Sequence, residues 1–259
     1  MRHIRFARFA SGAGPAKRDV EFCAFDDLFP DRLLVSCLMV TRGNMNLIRA
    51  SYDSFRSQSW KHKELIIVCD NVTEELRKLA ASNPHEVRLV EAPPGNLLGD
   101  LRNLSVARCR GDFICQWDDD DLYDPNRIAI SMRILSQASV DAVFLNSWLM
   151  WWEARRLLAV SPVSAWDGSM LARRSVVPIY PSLAKGEDNF VTNWICRNHP
   201  VALIEYPQLY LYRVTGENTW DEQHFERLFR SASRIFSTAE LDEAFKLPCF
   251  AFANANRRG

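Results

Sequence analysis

Four consecutive aspartates, Asp118, Asp119, Asp120 and Asp121, follow the apolar run 113–117 in the stretch QWDDDD (116–121). Adjacent carboxylates repel one another, so a fold that gathers them where a buried strand ends needs a compensating cation. A hard divalent ion such as Mg2+ or Mn2+ suits oxygen ligands and keeps coordination positions that a diphosphate can fill. Such an ion would bridge carboxylate and phosphate and neutralise the charge of a departing nucleotide diphosphate. Two other chemistries fit less well. A solvated acidic loop capping a helix needs no ion, but open α/β sheets bind ligands at the carboxyl ends of their strands, which is where this run falls. A calcium loop requires glycine at its sixth position, and Tyr123 stands there.

The acidic run can act only if neighbouring elements bring partners to it. From residue 33 onward strand and helix signals alternate, which predicts an α/β fold with a mostly parallel central sheet flanked by helices. The runs 33–40, 64–69, 87–90 and 113–117 read as buried strands. Between them Ile48, Tyr52 and Phe55, then Val72, Leu76 and Leu79, then Leu97, Leu101 and Leu104 recur at helical spacing, with Pro93-Pro94-Gly95 breaking the chain before the third group. Asp124 and Pro125 read as the N-cap and first turn of a helix that turns Ile128, Met132 and Leu135 inward. Further on, 140–145, 157–160 and 170–171 read as strands, a helix begins near Asp188, and 201–206 and 209–213 suit a pair of strands. Phe225, Leu228, Phe229 and Ala232 share one face of a last amphipathic helix. No repeat, low-complexity segment or linker divides the chain. The expected organisation is a weakly ordered lead-in over 1–31, one domain over 32–236, and a tail over 237–259. Within the domain, 32–121 should face a nucleotide and 122–236 an acceptor.

Taken in order, VSCLMVTRGN (35–44), ELIIVCDN (64–71), GDLRNLSVARCRGDFICQWDDDD (99–121) and KGEDNFV (185–191) make the stretch 33–220 similar to glycosyltransferase family 2. The resemblance implies a single GT-A (Rossmann-like) domain and a metal-dependent, inverting transfer of a sugar from a nucleotide-diphospho-sugar to an acceptor hydroxyl. It implies Mn2+ or Mg2+ as cofactor, a glycan, lipid-linked or small-molecule acceptor, and a place in glycan or polysaccharide biosynthesis. Carried over residue by residue, it puts Thr41 and Arg42 beside the nucleotide, Asp70 on the base or ribose, and Arg102 near the nucleotide or its phosphates. Asp118 and Asp119 would meet the nucleotide-sugar, and Asp120 the metal, with Asp121 as a further ligand. Asp188 would be the general base, with Glu187 supporting it or binding acceptor. The chemistry agrees, because displacement at an anomeric carbon needs the acceptor hydroxyl deprotonated opposite the leaving diphosphate, and a carboxylate can do that. Plainer readings stand beside these: Asp70 capping a helix that starts at Val72, Arg102 pairing with Asp100 or a surface carboxylate, and Glu187 and Asp188 complementing a helix dipole. Two positions depart from the family pattern. A single acid, Asp70, follows Cys69 where relatives carry two, and Thr215 precedes Gly216 in YRVTGENTW (212–220) where many carry a histidine near a Gly-x-Asn. His224 is then the substitute for the third protein ligand. Of the eight tryptophans, Trp151 and Trp152 are the candidates to stack on a sugar ring.

Composition narrows the rest. The 32 basic and 32 acidic residues cancel, so no global field favours nucleic acid or an anionic surface. Seven cysteines, without a C-x-x-C pair, read as buried thiols in a reducing compartment. No run approaches the ~20 apolar residues of a membrane span, and basic residues interrupt the opening MRHIRFARFASGAG where a secretory signal would be continuous. The expected location is cytoplasmic, with at most peripheral contact at the inner face of the membrane through the basic lead-in. Two rival functions share the fold. A nucleotidyltransferase making a nucleotide sugar would want a glycine-rich basic loop after the first strand, and Thr41-Arg42-Gly43-Asn44 holds one glycine. An inactive nucleotide-sugar-binding module would not need the Glu187-Asp188 pair.

Overall fold

The computed structural model describes residues 2–10, 13–22 and 33–252. Its first half follows the alternation of the sequence. Strands β3 (Val35–Thr41), β4 (Lys63–Cys69), β5 (Val87–Glu91) and β6 (Phe113–Gln116) lie parallel in the order β6-β3-β4-β5, and α1 (Met45–Arg56), α2 (Glu74–Ser82) and α3 (Leu98–Arg108) connect them. Successive strand residues point to opposite faces, and both faces are covered. Cys37, Met39, Leu65 and Ile67 share a cluster with Ile48, Tyr52 and Phe55 of α1, while Leu38, Ile66 and Val68 share another with Leu101 of α3. This two-sided burial is why the strands read as continuous apolar runs. The helix starts are fixed by side chains: Asn44 Oδ1 accepts from the Asn46 N–H, and Thr73 Oγ1 from the Leu76 N–H. Each such cap stabilises by about 1 kcal/mol.

The second half adds β7 (Leu122–Tyr123), α4 (Arg127–Ala138), β8 (Ala142–Leu145), β9 (Leu149–Trp152), β10 (Leu157–Val160), β11 (Trp166–Arg173), α5 (Glu187–Asn198), β12 (Val201–Glu205), β13 (Tyr210–Val214), α6 (Glu222–Arg230), β14 (Arg234–Ile235) and α7 (Thr238–Ala244). The helix expected from Asp124-Pro125 starts later, at Arg127, because Asp124 Oδ1 accepts from the Asn126 N–H at 2.8 Å and closes a turn ahead of it. The expected pairing of 201–206 with 209–213 does not occur. A 3-10 turn, Pro207–Leu209, separates β12 from β13 and they enter different sheets: β12 lies beside β8 in the large sheet, and β13 between β9 and β7 in a second one.

Two further expectations are corrected at the ends. Within the 1–31 lead-in, β1 (Arg2–Ala10) and β2 (Ala13–Phe22) form an antiparallel hairpin, and β1 pairs with β12. Ile4 and Phe6 are buried while Arg5 between them is exposed, the period-2 pattern of a strand with one covered face. Of the 237–259 tail, α7 and the turn Pro248–Phe250 bury Leu241, Ala244, Cys249 and Phe250 against Trp151 and Leu211; 23–32 and 253–259 lie outside the described residues. The large sheet therefore runs β2-β1-β12-β8-β11-β6-β3-β4-β5, and the smaller one β14-β10-β9-β13-β7. The parallel character is confined to β6-β3-β4-β5 and the β8-β12 pair; the other pairings of the large sheet are antiparallel. Among the described residues no helix is long and apolar enough to cross a membrane. Cys37, Cys69, Cys109 and Cys115 are buried free thiols, Cys249 is buried and Cys196 is half-buried; Cys23 lies outside the described residues.

Candidate active site

Three parallel strands end side by side at Thr41, Cys69 and Gln116, and the acidic run follows the last of them. Buried groups pin the turn in place. The Trp117 N–H donates to the Leu38 carbonyl, Ser51 Oγ of α1 and the Tyr123 hydroxyl both donate to the Asp118 carbonyl, and Ser54 Oγ donates to the Tyr123 carbonyl. Behind it Arg127 is fully buried without a carboxylate partner among the described residues, its guanidinium 4.4 to 5.2 Å from the ring centres of Trp117, Tyr123 and Tyr210. Those ring faces supply the negative potential that a buried cation needs.

The turn opens on a cavity of about 600 Å3, large enough for a nucleotide-sized ligand. Among its lining residues nine carboxylates, Asp70, Asp118 to Asp121, Asp167, Glu187, Asp188 and Glu217, face three bases, Arg42, Arg102 and Lys185. The acids form two groups joined by Asp118. In the first, Thr41 Oγ1 donates to Asp119, and Asn218 Nδ2 donates to Asp120 Oδ2 at 2.7 Å. Burial, with Asp118 and Glu217 nearby, pushes the Asp119 carboxyl up to about 6; burial, with Asp119 and Asp118 nearby, pushes Asp120 up to about 8. In the second, Arg102 Nε donates to Glu187 Oε1 at 2.6 Å and its Nη2 lies 3.2 Å from Asp118 Oδ1. Burial alone would lower the Arg102 pKa, but Asp118, Asp188 and Glu187 together hold it well above its usual value. Burial and the Asp118 charge raise Asp188 against the pull of Arg102.

Most of the predicted residues meet in this cavity, and several take a different part in it. Asp70 lines it, and the cap of α2 is Thr73 rather than Asp70. Arg102 is committed to Glu187 and Asp118 rather than to Asp100. Glu187 is fully buried, and its Oε1 holds Arg102. Asp121, expected to join Asp120 as a metal ligand, is 1% exposed, and both its oxygens are taken up inside the protein, by the Tyr210 hydroxyl at 2.6 Å and the Arg213 N–H at 2.8 Å. His224 lies against Trp220 with ring centres 4.4 Å apart, and burial lowers its pKa. Trp151 and Trp152 are buried on β9 against Phe245, Phe250, Phe225 and Phe229, far from sugar-stacking duty; the tryptophans that line the cavity are Trp148, Trp166 and Trp220.

Sequence reasoning missed Asp167 and Asn218. Asn218 belongs to the Gly216-Glu217-Asn218 segment, where its Nδ2 clamps Asp120 while its Oδ1 accepts from the Thr215 N–H; that Gly-x-Asn was the available signal. Asp167 had none, because its place depends on an irregularity of β11. The donor set of the first group, clustered acids with raised proton affinity, fits a hard divalent ion. Among the described residues no three His, Cys, Asp or Glu side chains already converge as a complete ligand set, so oxygens of a bound ligand would have to complete the coordination.

Residues 36–149 match the sequence model of the family described as glycosyl transferase family 2. An "uncharacterized glycosyltransferase" of Rickettsia typhi is 27% identical over 104 residues, 40% of this chain and 32% of that protein. The chain thus spans about a third of the length of the curated relative it matches. In fold it is similar to residues 1–349 of TarS from S. aureus, solved with UDP-GlcNAc, with a TM-score of 0.59, 14% identity, and 86% of this chain and 72% of that one covered. It is likewise similar to the mannosyltransferase PcManGT of Pyrobaculum calidifontis, solved with GDP-Man and Mn2+, with a TM-score of 0.53, 15% identity, and 88% and 65% covered. The expected family resemblance and GT-A fold are borne out.

Proposed function

We propose that this chain, which carries a family 2 glycosyltransferase segment over residues 36–149, moves a sugar from a nucleotide-diphospho-sugar to an acceptor hydroxyl in glycan biosynthesis. The observation that carries the reading is a single cavity at the carboxyl ends of parallel strands where nine carboxylates face three bases. So many acids around one cavity stay ionised together only with a cation, and a cation there attracts a diphosphate. A Mn2+ or Mg2+ ion held by Asp120, with Asp119 beside it, would stabilise the diphosphate as it leaves.

Thr41 and Asp70 flank the nucleoside, while the exposed Arg42 and Lys185 at the cavity wall meet phosphate. Asp188 accepts the proton of the acceptor hydroxyl as that oxygen bonds to the anomeric carbon. The bond from that carbon to the diphosphate oxygen breaks, and its electron pair leaves with the diphosphate. Burial raises the Asp188 carboxyl, which brings its basicity closer to the working pH. Arg102, held by Glu187, pairs with Asp118 and offsets part of the negative charge around Asp188. One displacement with the base opposite the leaving group inverts the anomeric configuration. The test is a panel of UDP-, GDP- and dTDP-sugars, read by thermal shift and by release of free nucleotide with and without Mn2+. At least one donor should stabilise the protein and be slowly hydrolysed only with the metal present. No response to any donor contradicts the reading.

A further inference from the structure

Asp167 sits on a break in the large sheet. Against β8, Trp166 pairs with Leu145 and Leu171 with Val143, so five steps along β11 face only two on its partner. This bulge is built, not frayed. Ser169 Oγ accepts from the Leu145 N–H at 2.8 Å, replacing a lost ladder bond, and the buried Arg127 Nη2 donates to the Gly168 carbonyl at 3.1 Å. Gly168 has no room for a side chain: a Cβ there would stand 2.8 Å from the Tyr210 hydroxyl and 3.3 Å from the Trp148 ring. Bulges re-aim side chains, and this one brings Trp166 and Asp167 to the cavity wall. Trp166 is stacked on Trp148 at 4.5 Å, which fixes its ring.

The charges acting most strongly on Asp167 are those of Asp188 and Asp118, followed by Arg102. It therefore belongs to the group around the base and not to the Asp119 and Asp120 group. Among the described residues it accepts a hydrogen bond only from the Gly168 N–H, at Oδ1. A second, independent acceptor waits in the same group: Glu187 Oε2 is buried with no hydrogen-bond partner among the described residues, although its side chain lines the cavity. Carboxylates only accept hydrogen bonds when ionised, and an aromatic plane beside them suits the apolar face of a pyranose. Arg102 acts on this group and is already bonded to two of its acids.

Building on the transfer reaction above, we propose that Asp167 is a specificity-determining residue for the acceptor: it accepts hydrogen bonds from hydroxyl or ammonium groups of an acceptor sugar laid on Trp166, and its charge excludes acceptors carrying a carboxylate or phosphate. The acceptor is thus a neutral or amine-bearing sugar. A buried site that must hydrogen-bond its ligand rejects one that leaves the site's polar group unpaired or repelled.

The test has two arms. Calorimetry of UDP-GlcNAc and GDP-Man with Mn2+ reads donor binding; if neither binds, the proposed function itself fails, separately from this inference. With a binding donor, methyl glycosides of glucose, glucosamine and glucuronic acid are offered as acceptors and nucleotide release is followed. The wild-type protein should use the first two at least about tenfold better than the glucuronide, the scale of one hydrogen bond to a charged group. Asp167→Asn, and Asp167→Ser as a second variant, should raise KM for the neutral acceptor by about the same factor, change kcat less, and erase most of the discrimination. Donor affinity should stay within about twofold, because the donor's charged parts lie with the other group. Three results would overturn the inference. The glucuronide could serve as well as the glucoside in the wild-type protein, none of the glycosides could be used although a donor binds, or the variants could lose kcat alone with KM unchanged, which would make Asp167 the base.

Discussion

Asp188 and Glu187 are adjacent in sequence and unlike in surroundings. Asp188 is half-buried at the cavity, while Glu187 is fully buried and bonded to Arg102. Asp188→Asn keeps shape and removes basicity, so turnover should fall by about 10² to 10⁴ with donor affinity kept, as single-turnover kinetics beside a binding assay would read. Glu187→Gln removes one of the two charged partners of the buried Arg102, and breaking such a buried pair is costly, about 3 kcal/mol or more. Its signature should be a lowered melting temperature together with weaker activity, where Asp188→Asn should leave the melting temperature close to that of the wild-type protein. Equal melting losses in both variants would mean that the two carboxylates act as one structural unit. At this scale the sequence was legible wherever chemistry requires a residue type. Four adjacent acids after a strand suggested a cation site and the family resemblance suggested Asp188 as a base, and the structure brings these residues to one cavity. Which oxygen is free was not legible: the Tyr210 hydroxyl and Arg213 N–H that occupy Asp121 lie 89 and 92 residues away.

Elements position these residues through contacts that tolerate little change. Gly99 opens α3, and a Cβ there would meet the Pro181 carbonyl oxygen at 1.9 Å. Its N–H also donates to the Leu183 carbonyl. The start of α3, which carries Arg102, is thereby seated on the segment that leads to Glu187 and Asp188. Gly99→Ala must push that backbone away, so it should lower stability by about 1 to 3 kcal/mol and weaken activity through misplacement of Asp188. Chemical denaturation with an activity measurement on the folded variant checks this, and an unchanged denaturation midpoint would contradict the packing. The parallel strands β3, β4, β5 and β6 and the helices between them were legible because two-sided burial leaves long apolar runs and regular helical spacing. The second sheet was not. Its strands β7 and β14 are two residues long, too short for a period, and β9 lies in a tryptophan-rich stretch that suggested ligand stacking. The hairpin of β1 and β2 was hidden differently: Ile4 and Phe6 alternate with Arg5, but the basic residues suggested a loose terminus.

Across the whole molecule, the acid cluster couples stability to pH. Asp119 and Asp120 are raised from 3.8 to about 6 and about 8, and Asp167 to about 7, mainly by burial. The folded protein therefore binds more protons than the unfolded chain above about pH 4, and stability falls as pH rises, until each group's folded pKa has been passed. Carboxylates held low by their partners, such as Glu64 and Glu240, exert their effect below that window. In EDTA the melting temperature should decline between about pH 5 and 8, and Mn2+ should restore it more at pH 8 than at pH 5, since the ion competes with protons. A profile that is flat in EDTA, or a metal effect that is larger in acid, would contradict this. The most direct test of the central claim, that the 118–121 turn holds a metal-bound nucleotide diphosphate, is calorimetry of the UDP- or GDP-sugar in Mn2+ and in EDTA, for the wild-type protein and Asp120→Ala. The account predicts binding that requires the metal and is lost or weakened by at least about tenfold in the variant, a loss of some 1.4 kcal/mol. Equal affinity in Mn2+ and EDTA, or an unaffected Asp120→Ala protein, would contradict it.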